Sequence, residues 1–282
     1  MRRILVPYDQ SEQSDYALEH AMGLDESAEV VLLHVVELRG SDGDPTGDEL
    51  SSPEGADTAA DHLEAVRDRF DDPDRIETAV EYGRPVHAIL NAVDDRGIDH
   101  VVLGSHGRDG AARLLLGSVA ETVARRSPVP VTVVRAPSDA QQTEIVLVPF
   151  DGSTHARNAL RHVFEQFPDA TVVALFVAHP PTEHVRDAGR FDLSEDWADE
   201  RQDHTESVLG VASSVAETHG RSIETESAVG DPSDGIVAYA ESEPVDHIVI
   251  GSSGRDGIAR LLLASVAETV VRRAPVSVTI VK

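Results

Sequence analysis

The chain has 282 residues, which is enough for two domains of ordinary size, each with its own hydrophobic core. It contains no cysteine, which excludes disulfide bonds and thiolate metal sites. A formal net charge of −27 disfavours nucleic acid and anionic membrane surfaces as partners, and no apolar run is long enough to cross a membrane. The composition therefore predicts a cytoplasmic protein.

The types of charged residue are also unusual. Asp and Glu total 51, Lys and Arg total 24, and Lys282 is the single lysine. Such an acidic surface is typical of halophilic proteins from salt-accumulating cells. At roughly 1 M salt the Debye length is about 3 Å, so this charge does not exclude an anionic ligand from a local site.

In the first half, short apolar segments alternate with segments of helical spacing. Strands are predicted at 2–7, 29–37, 75–80, 99–103 and 129–134. Helices are predicted from a Ser11 cap to Leu24, over 56–70, from Pro85 onward and over 119–126, and an acidic loop is predicted at 38–53. Continuous apolar strands separated by helices indicate a parallel sheet covered on both faces.

The same order repeats in the second half, with strands predicted at 145–149, 171–178, 222–229 and 245–250 and a fifth at the end of the chain. Between 104–134 and 251–281, 24 of 31 positions are identical. This internal duplication predicts an α/β fold of two tandem domains, residues 1–136 and 144–282, joined by a linker at 137–143.

A glycine-rich stretch, 104–118, follows the predicted fourth strand and recurs at 251–265. A loop of this kind that ends at a helix start gathers backbone N–H groups around one point, with the positive end of the helix dipole behind them. The pattern predicts an anion site, and phosphate is the expected anion.

Asp9 and Asp151 follow the first strand of each half. Because ligands of parallel sheets bind at the carboxyl ends of the strands, both aspartates should face the same crevice as the glycine-rich loops. A carboxylate opposite a ring of N–H donors suits the ribose and phosphates of a nucleotide, and Asp9 could hold Mg²⁺ through water. The alternative is that both aspartates only cap the first helix.

The spacing of Gly104, Gly107, Gly117 and Ser118, together with the segments 6–9 and 32–35, resembles the universal stress protein family in its ATP-binding form. The resemblance covers nearly the whole chain as two tandem domains. It implies a doubly wound, Rossmann-like sheet of five parallel strands in each domain, of the adenine-nucleotide alpha-hydrolase-like type, with ATP bound through the glycine-rich loop. It also implies pairing of domains through their fifth strands.

Carried onto this sequence, the resemblance places Pro7 and Asp9 by the ribose and adenine, and gives Val35 a backbone contact to adenine. The residues around ribose and phosphates would be Gly104, Gly107, Gly117, Ser118 and Val119. The matching positions in the second half are Pro149, Asp151, Val177, Gly251, Gly254, Ser265 and Val266.

The second half departs from the pattern at Ala264, which stands where the first half has Gly117. A methyl group is costly there if the backbone needs a positive φ or if the phosphate lies against its Cα, and nearly neutral if the backbone is ordinary α or β. We therefore expect the nucleotide site to be better preserved in the first domain.

Arg108, within the first loop, could pair with a phosphate, or could instead balance the acidic surface. Ser118 and Ser265 are expected to be phosphate donors or helix caps, and no catalytic residue is predicted. No histidine pair has zinc-ligand spacing, and His34 is expected to be a packed residue.

The apolar segments 131–134 and 278–281 of the predicted fifth strands would leave apolar sheet edges that must be covered. They could pair within the chain as a pseudo-dimer, and the sequence leaves open whether two chains form a homodimer. The protein partner is unknown.

The reading that follows is an adenine-nucleotide-binding stress-response sensor or regulator, with at most slow ATP hydrolysis or autophosphorylation. One alternative is an interaction module that recruits a partner through the acidic loops 38–53 and 179–193. A weaker one is an ATP- or flavin-dependent enzyme of a related α/β class.

Overall fold

The computed structural model describes residues 2–37, 53–106, 116–135, 143–179, 195–252 and 265–282, with the backbone only at 53–57 and 195–198. The chain forms two compact units, residues 1–141 and 142–282. Most of the predicted linker and most of both acidic loops lie outside the described residues.

The first unit alternates strands and helices throughout. Its strands are β1 (Arg3–Pro7), β2 (Glu29–Val36), β3 (Ile76–Tyr82), β4 (His100–Gly104) and β5 (Val131–Val134). Its helices are α1 (Glu12–Leu24), α2 (Pro53–Arg67), α3 (Pro85–Asp95) and α4 (Ser118–Arg126). Pro53, predicted to end the acidic loop, instead opens α2, a position where proline's missing N–H costs nothing.

The second unit repeats this order. Its strands are β6 (Ile145–Pro149), β7 (Thr171–Ala178), β8 (Glu224–Val229), β9 (His247–Gly251) and β10 (Ser277–Val281). Its helices are α5 (Thr154–Gln166), α6 (Glu195–Thr218), α7 (Pro232–Ser242) and α8 (Ser265–Arg273).

Within each unit all strand pairs are parallel, in the order β3-β2-β1-β4-β5 and β10-β9-β6-β7-β8. Neighbouring residues of a strand point to opposite faces, and Ile4, Leu5 and Val6 of β1 are all buried. Helices therefore cover both faces of the sheet. The α/β class and the two tandem parallel sheets predicted from the sequence are confirmed.

The strand order reverses at β1, which lies between β2 and β4, and at β6, which lies between β7 and β9. In open α/β sheets such a reversal opens a crevice at the carboxyl ends of the two central strands. The segments after β1 and β4, and after β6 and β9, therefore flank the crevice of each unit.

The fifth strand begins later than predicted in the first unit. Pairing with β4 starts at Val131 and not at Val129, because Pro130 has no N–H to donate to the ladder. Ser277 stands at the equivalent position of the second unit and pairs with His247 as the first residue of β10.

The duplication extends to buried polar contacts. His100 Nε2 lies 2.8 Å from Thr132 Oγ1, and His247 Nε2 lies 2.8 Å from Thr279 Oγ1. All four residues are buried. Each pair ties a fourth strand to the fifth strand beside it, so these histidines belong to the core.

Candidate functional site

The turn after β1 brings Asp9 to the crevice of the first unit. Asp9 Oδ1 accepts hydrogen bonds from the Ser11 amide at 3.1 Å and the Ser11 hydroxyl at 2.6 Å. Ser11 Oγ in turn accepts from the Ser14 amide and caps α1, as predicted. Asp9 therefore does not cap the helix but holds the residue that does.

Only one oxygen of Asp9 is used in this way. Asp9 is half-buried, and its Oδ2 makes no hydrogen bond to any described residue. This leaves one carboxylate oxygen as an acceptor at the carboxyl edge of the sheet.

The second unit builds the same turn. Asp151 Oδ1 accepts from the Ser153 amide at 3.0 Å, and Ser153 Oγ caps α5 by accepting from the Ala156 amide at 3.2 Å. Asp151 is exposed. The two units thus present equivalent carboxylates at equivalent sheet edges.

Hydrogen bonds fix both ends of the first glycine-rich loop. The Ser105 amide donates to Val134 at 2.8 Å, which extends the pairing of β4 with β5 by one residue. The Gly117 amide donates to Ser105 at 2.7 Å, so the loop leaves and returns at one place. In the second unit the Ser252 amide donates to Val281 at 2.7 Å in the same manner.

Helix α4 begins where the loop returns. Gly117 is its N-cap residue and has no side chain to cap it. The amides of Ser118, Val119 and Ala120 therefore lack both an intrahelical acceptor and a capping side chain, and the positive end of the helix dipole lies at the same place. This arrangement favours an anion, as a phosphate would be.

The second unit has a cavity of about 180 Å³ at its crevice. Six segments meet there, namely the ends of β6, β7 and β9 and the beginnings of α5, α7 and α8. Of the residues predicted for the nucleotide site of this half, the cavity is lined by Pro149, Asp151, Val177, Gly251 and Val266. Its remaining lining is mostly apolar and includes Phe150, Leu175 and Ile236.

Gly104 and Gly251 have a role that the sequence analysis missed. A Cβ on Gly104 would lie 2.7 to 2.8 Å from Gln13 Cβ, C and O, and a Cβ on Gly251 would lie 2.5 Å from His155 C and O. These glycines let the ends of β4 and β9 touch the first turn of α1 and α5. Their requirement for glycine is explained by helix–strand packing, whatever they contribute to a ligand.

Gly117 has no such requirement in its backbone angles. Its φ of −64° and ψ of 147° are ordinary extended values that alanine adopts freely. A methyl group at Ala264 is expected to be costly if a phosphate lies against its Cα or if the backbone needs a positive φ, and the first unit does not use a positive φ. The expectation of a weaker second site loses that support.

The other predicted residues are distributed as follows. Pro7 and Pro149 end β1 and β6, while Val35 and Val177 lie one residue before the ends of β2 and β7. Ser118 and Ser265 are the first residues of α4 and α8. Gly107, Arg108 and Gly254 lie outside the described residues.

Tyr8 and His34 are part of the site's framework and were not predicted as such. Tyr8 is buried and its hydroxyl donates to Asp15 Oδ1 at 2.8 Å; Arg69 donates to the same oxygen. Burial and the Asp15 carboxylate raise the pKa of Tyr8 to about 12. His34 Nδ1 lies 2.7 Å from the Tyr8 carbonyl oxygen, so this histidine does more than pack.

Across the described residues, no three His, Asp or Glu side chains are grouped so that they could hold a metal ion by themselves. None of the helices in the described ranges is long and apolar enough to cross a membrane.

A model of the universal stress protein family matches residues 1–135 and again residues 143–282. The chain belongs to the universal stress protein family. It carries two universal stress protein domains in tandem.

Relatives and solved structures agree with this membership. A universal stress protein of Methanocaldococcus jannaschii is 35% identical over 142 residues, which span 49% of this chain and 81% of the relative. A universal stress protein of Mycobacterium tuberculosis is 27% identical over 213 residues, or 73% of this chain and 69% of the relative. The crystal structure of a universal stress protein from Archaeoglobus fulgidus matches with a TM-score of 0.67 and 26% identity, covering 99% of this chain and 96% of that one.

Proposed function

We propose that each universal stress protein domain of this chain binds one adenine nucleotide, with ATP the expected ligand, and that the protein acts as a nucleotide-dependent regulator of a stress response. The observation that carries this proposal is the cavity of the second unit. Five residues predicted for the nucleotide site, from four separate segments of the chain, line that one cavity.

The apolar part of the cavity suits the base. Pockets that enclose whole drug-sized ligands measure roughly 300 to 1,000 Å³. A cavity of about 180 Å³ is smaller, so it would take the ring system while the rest of the nucleotide lies along the crevice. The free oxygens of Asp9 and Asp151 would accept hydrogen bonds from ribose hydroxyls.

The phosphates would lie at the N-terminus of α4 in the first unit, where the amides of residues 118–120 have no side-chain cap. Mg²⁺ fits the same place, because it is commonly held by one or two carboxylates together with substrate phosphates. When bound, Mg²⁺ would neutralise phosphate charge, and Asp9 would hold it through water.

We propose two nucleotide sites per chain, rather than one functional site in the first unit and a copy in the second unit that does not bind. The turn, the helix cap and the sheet-edge carboxylate are built alike in both units. Alanine adopts the backbone angles of Gly117 freely, which supports a second site even though Ala264 stands at the matching position in the sequence.

Isothermal titration of the full chain with ATP and Mg²⁺ in concentrated KCl tests this proposal, with Asp9→Asn and Asp151→Asn as variants. Asparagine keeps an oxygen that can accept from the serine in the turn, but it replaces the free carboxylate oxygen with an N–H donor. We expect two sites in the parent chain and about tenfold or greater weakening of one site in each variant.

Asp25→Asn is a matched control. Asp25 Oδ1 accepts from the Ser27 amide at 2.8 Å and from its hydroxyl at 2.7 Å, the same local geometry as Asp9 with Ser11. Asp25 precedes β2 and so lies at the opposite edge of the sheet. Its variant should bind ATP like the parent, and a parent chain that binds no adenine nucleotide would disprove the proposal.

Pairing of the two domains through their fifth strands, association of two chains, and a cytoplasmic location stay predictions of the sequence. Gel filtration with light scattering measures the second of these directly. Mass spectrometry of the gently purified chain would identify a retained nucleotide, and retained flavin would instead favour the enzyme alternative.

A further inference from the structure

The turn after β1 contains a strained residue. Gln10 has a φ of 68°, in the left-handed region where a side chain is costly. The equivalent residue of the second unit is Gly152, with a φ of 76°, and glycine adopts this conformation freely. The two units therefore make one turn with different residues, and the first unit needs an interaction that offsets the strain.

His34 supplies such an interaction. Its Nδ1 lies 2.7 Å from the Tyr8 carbonyl oxygen. Since a carbonyl can only accept, Nδ1 carries the proton and donates it. The carbonyl belongs to the peptide group that joins Tyr8 to Asp9. His34 therefore holds the backbone directly before Asp9 and two residues before the strained Gln10.

The strand beside the turn holds the other side of Tyr8 as well. The Tyr8 amide donates to the Leu33 carbonyl at 2.8 Å. Two consecutive residues of β2, Leu33 and His34, thus fix the backbone on both sides of Tyr8.

The second unit lacks the histidine and also lacks the strain. The Phe150 amide donates to the Leu175 carbonyl at 2.8 Å, as Tyr8 does to Leu33. The residue after Leu175 is Phe176, which cannot donate to a carbonyl and packs edge-on against His204 with ring centroids 5.5 Å apart. In the first unit a donating histidine on β2 accompanies glutamine in the turn. In the second unit phenylalanine on β7 accompanies glycine in the turn.

We infer that His34 is a positioning residue for the nucleotide site of the first unit. Its Nδ1–H holds the Tyr8–Asp9 peptide against the strain at Gln10 and so fixes the direction of the Asp9 carboxylate toward the ribose. This inference rests on the proposed function. His34 acts through Asp9 and is not itself proposed to touch the ligand.

The test uses the full chain carrying Asp151→Asn, in which the stronger remaining site is that of the first unit. This chain is titrated with ATP and Mg²⁺. His34→Phe, which copies the second unit, should weaken that site about tenfold. His34→Asn keeps an N–H donor near the position of Nδ1 and should bind within about twofold of the His34 chain. Adding Gln10→Gly to His34→Phe reproduces the second unit's pair and should also restore binding.

The results distinguish a positioning role of His34 from a role in packing alone. Rescue by both His34→Asn and Gln10→Gly supports positioning through the Tyr8 carbonyl, because a role in packing alone would not respond to the residue at position 10. Unchanged binding in His34→Phe, or a loss that neither change rescues, overturns the inference. A starting chain that binds no ATP contradicts the proposed function itself, which separates the two failures.

Discussion

Gly104 and Gly251 end the fourth strand of each unit against the first turn of a helix, and we predict that alanine at either position destabilises the protein. The perturbation is a single methyl group. At Gly104 it would meet the backbone of α1 at Gln13, and at Gly251 the backbone of α5 at His155.

The magnitude follows from the distances. Carbon atoms in contact are normally about 3.5 to 4.0 Å apart. The added Cβ would lie 2.8 Å from Gln13 C and 2.5 Å from His155 C, so α1 would have to retreat by about 0.7 Å and α5 by about 1 Å. Overpacking of this kind costs about 1 to 3 kcal/mol, and the closer contact predicts a larger loss for Gly251→Ala than for Gly104→Ala.

The assay is urea unfolding of the full chain followed by circular dichroism. Gly210→Ala is the control, because Gly210 lies within α6 and a Cβ there would meet nothing within 4 Å. That variant should gain about 0.5 to 1 kcal/mol from the better helix propensity of alanine. If Gly104→Ala and Gly251→Ala unfold at the same urea concentration as the parent chain, the packing argument is wrong.

Two further predictions concern stability. Burial and Asp15 raise the pKa of Tyr8 from 10.0 to about 12, so the unfolded phenol ionises first and the free energy of unfolding should fall as pH rises from 10 to 12. Between pH 10 and 12 the free energy of unfolding of the parent chain should fall by on the order of 2 kcal/mol more than that of Tyr8→Phe. Equal pH profiles of the two chains would show that the pKa of Tyr8 is not raised. Asp231 caps α7 by accepting from the amides of Ser233 and Asp234, so Asp231→Ala should cost about 1 kcal/mol at pH 7 while Asp231→Ser should retain most of the cap. Urea unfolding of the three chains checks this, and an Asp231→Ser chain as unstable as Asp231→Ala would show that the cap is not what is lost.

Local chemistry made most of the fold predictable. Ser11 caps its helix as expected from the turn that precedes it, and the duplication indicated that the second unit would repeat the first. Where the start of a strand differs from the prediction, the reason is also local. Pro130 accepts from the Val101 amide at 3.0 Å but has no N–H to donate, whereas its counterpart Ser277 is the first paired residue of β10.

The site was only partly predictable, because some of its residues act through tertiary contacts. The glycine spacing pointed to a ligand loop, yet Gly104 is required by the approach of α1, which no sequence pattern reveals. His34 looked like an ordinary strand residue because its partner, the Tyr8 carbonyl, is 26 positions away. Comparing the two halves would have offered a signal, since His34 on β2 and Gln10 in the turn of the first unit are replaced together by Phe176 on β7 and Gly152 in the turn of the second.

The most direct test of the nucleotide site is a crystal structure of the full chain grown with excess ATP and magnesium. We predict one nucleotide in each unit, with ribose hydroxyls on Asp9 and Asp151 and phosphates at the start of α4 and α8. Crevices that stay empty at saturating ATP, or a nucleotide bound elsewhere on the chain, would contradict the account.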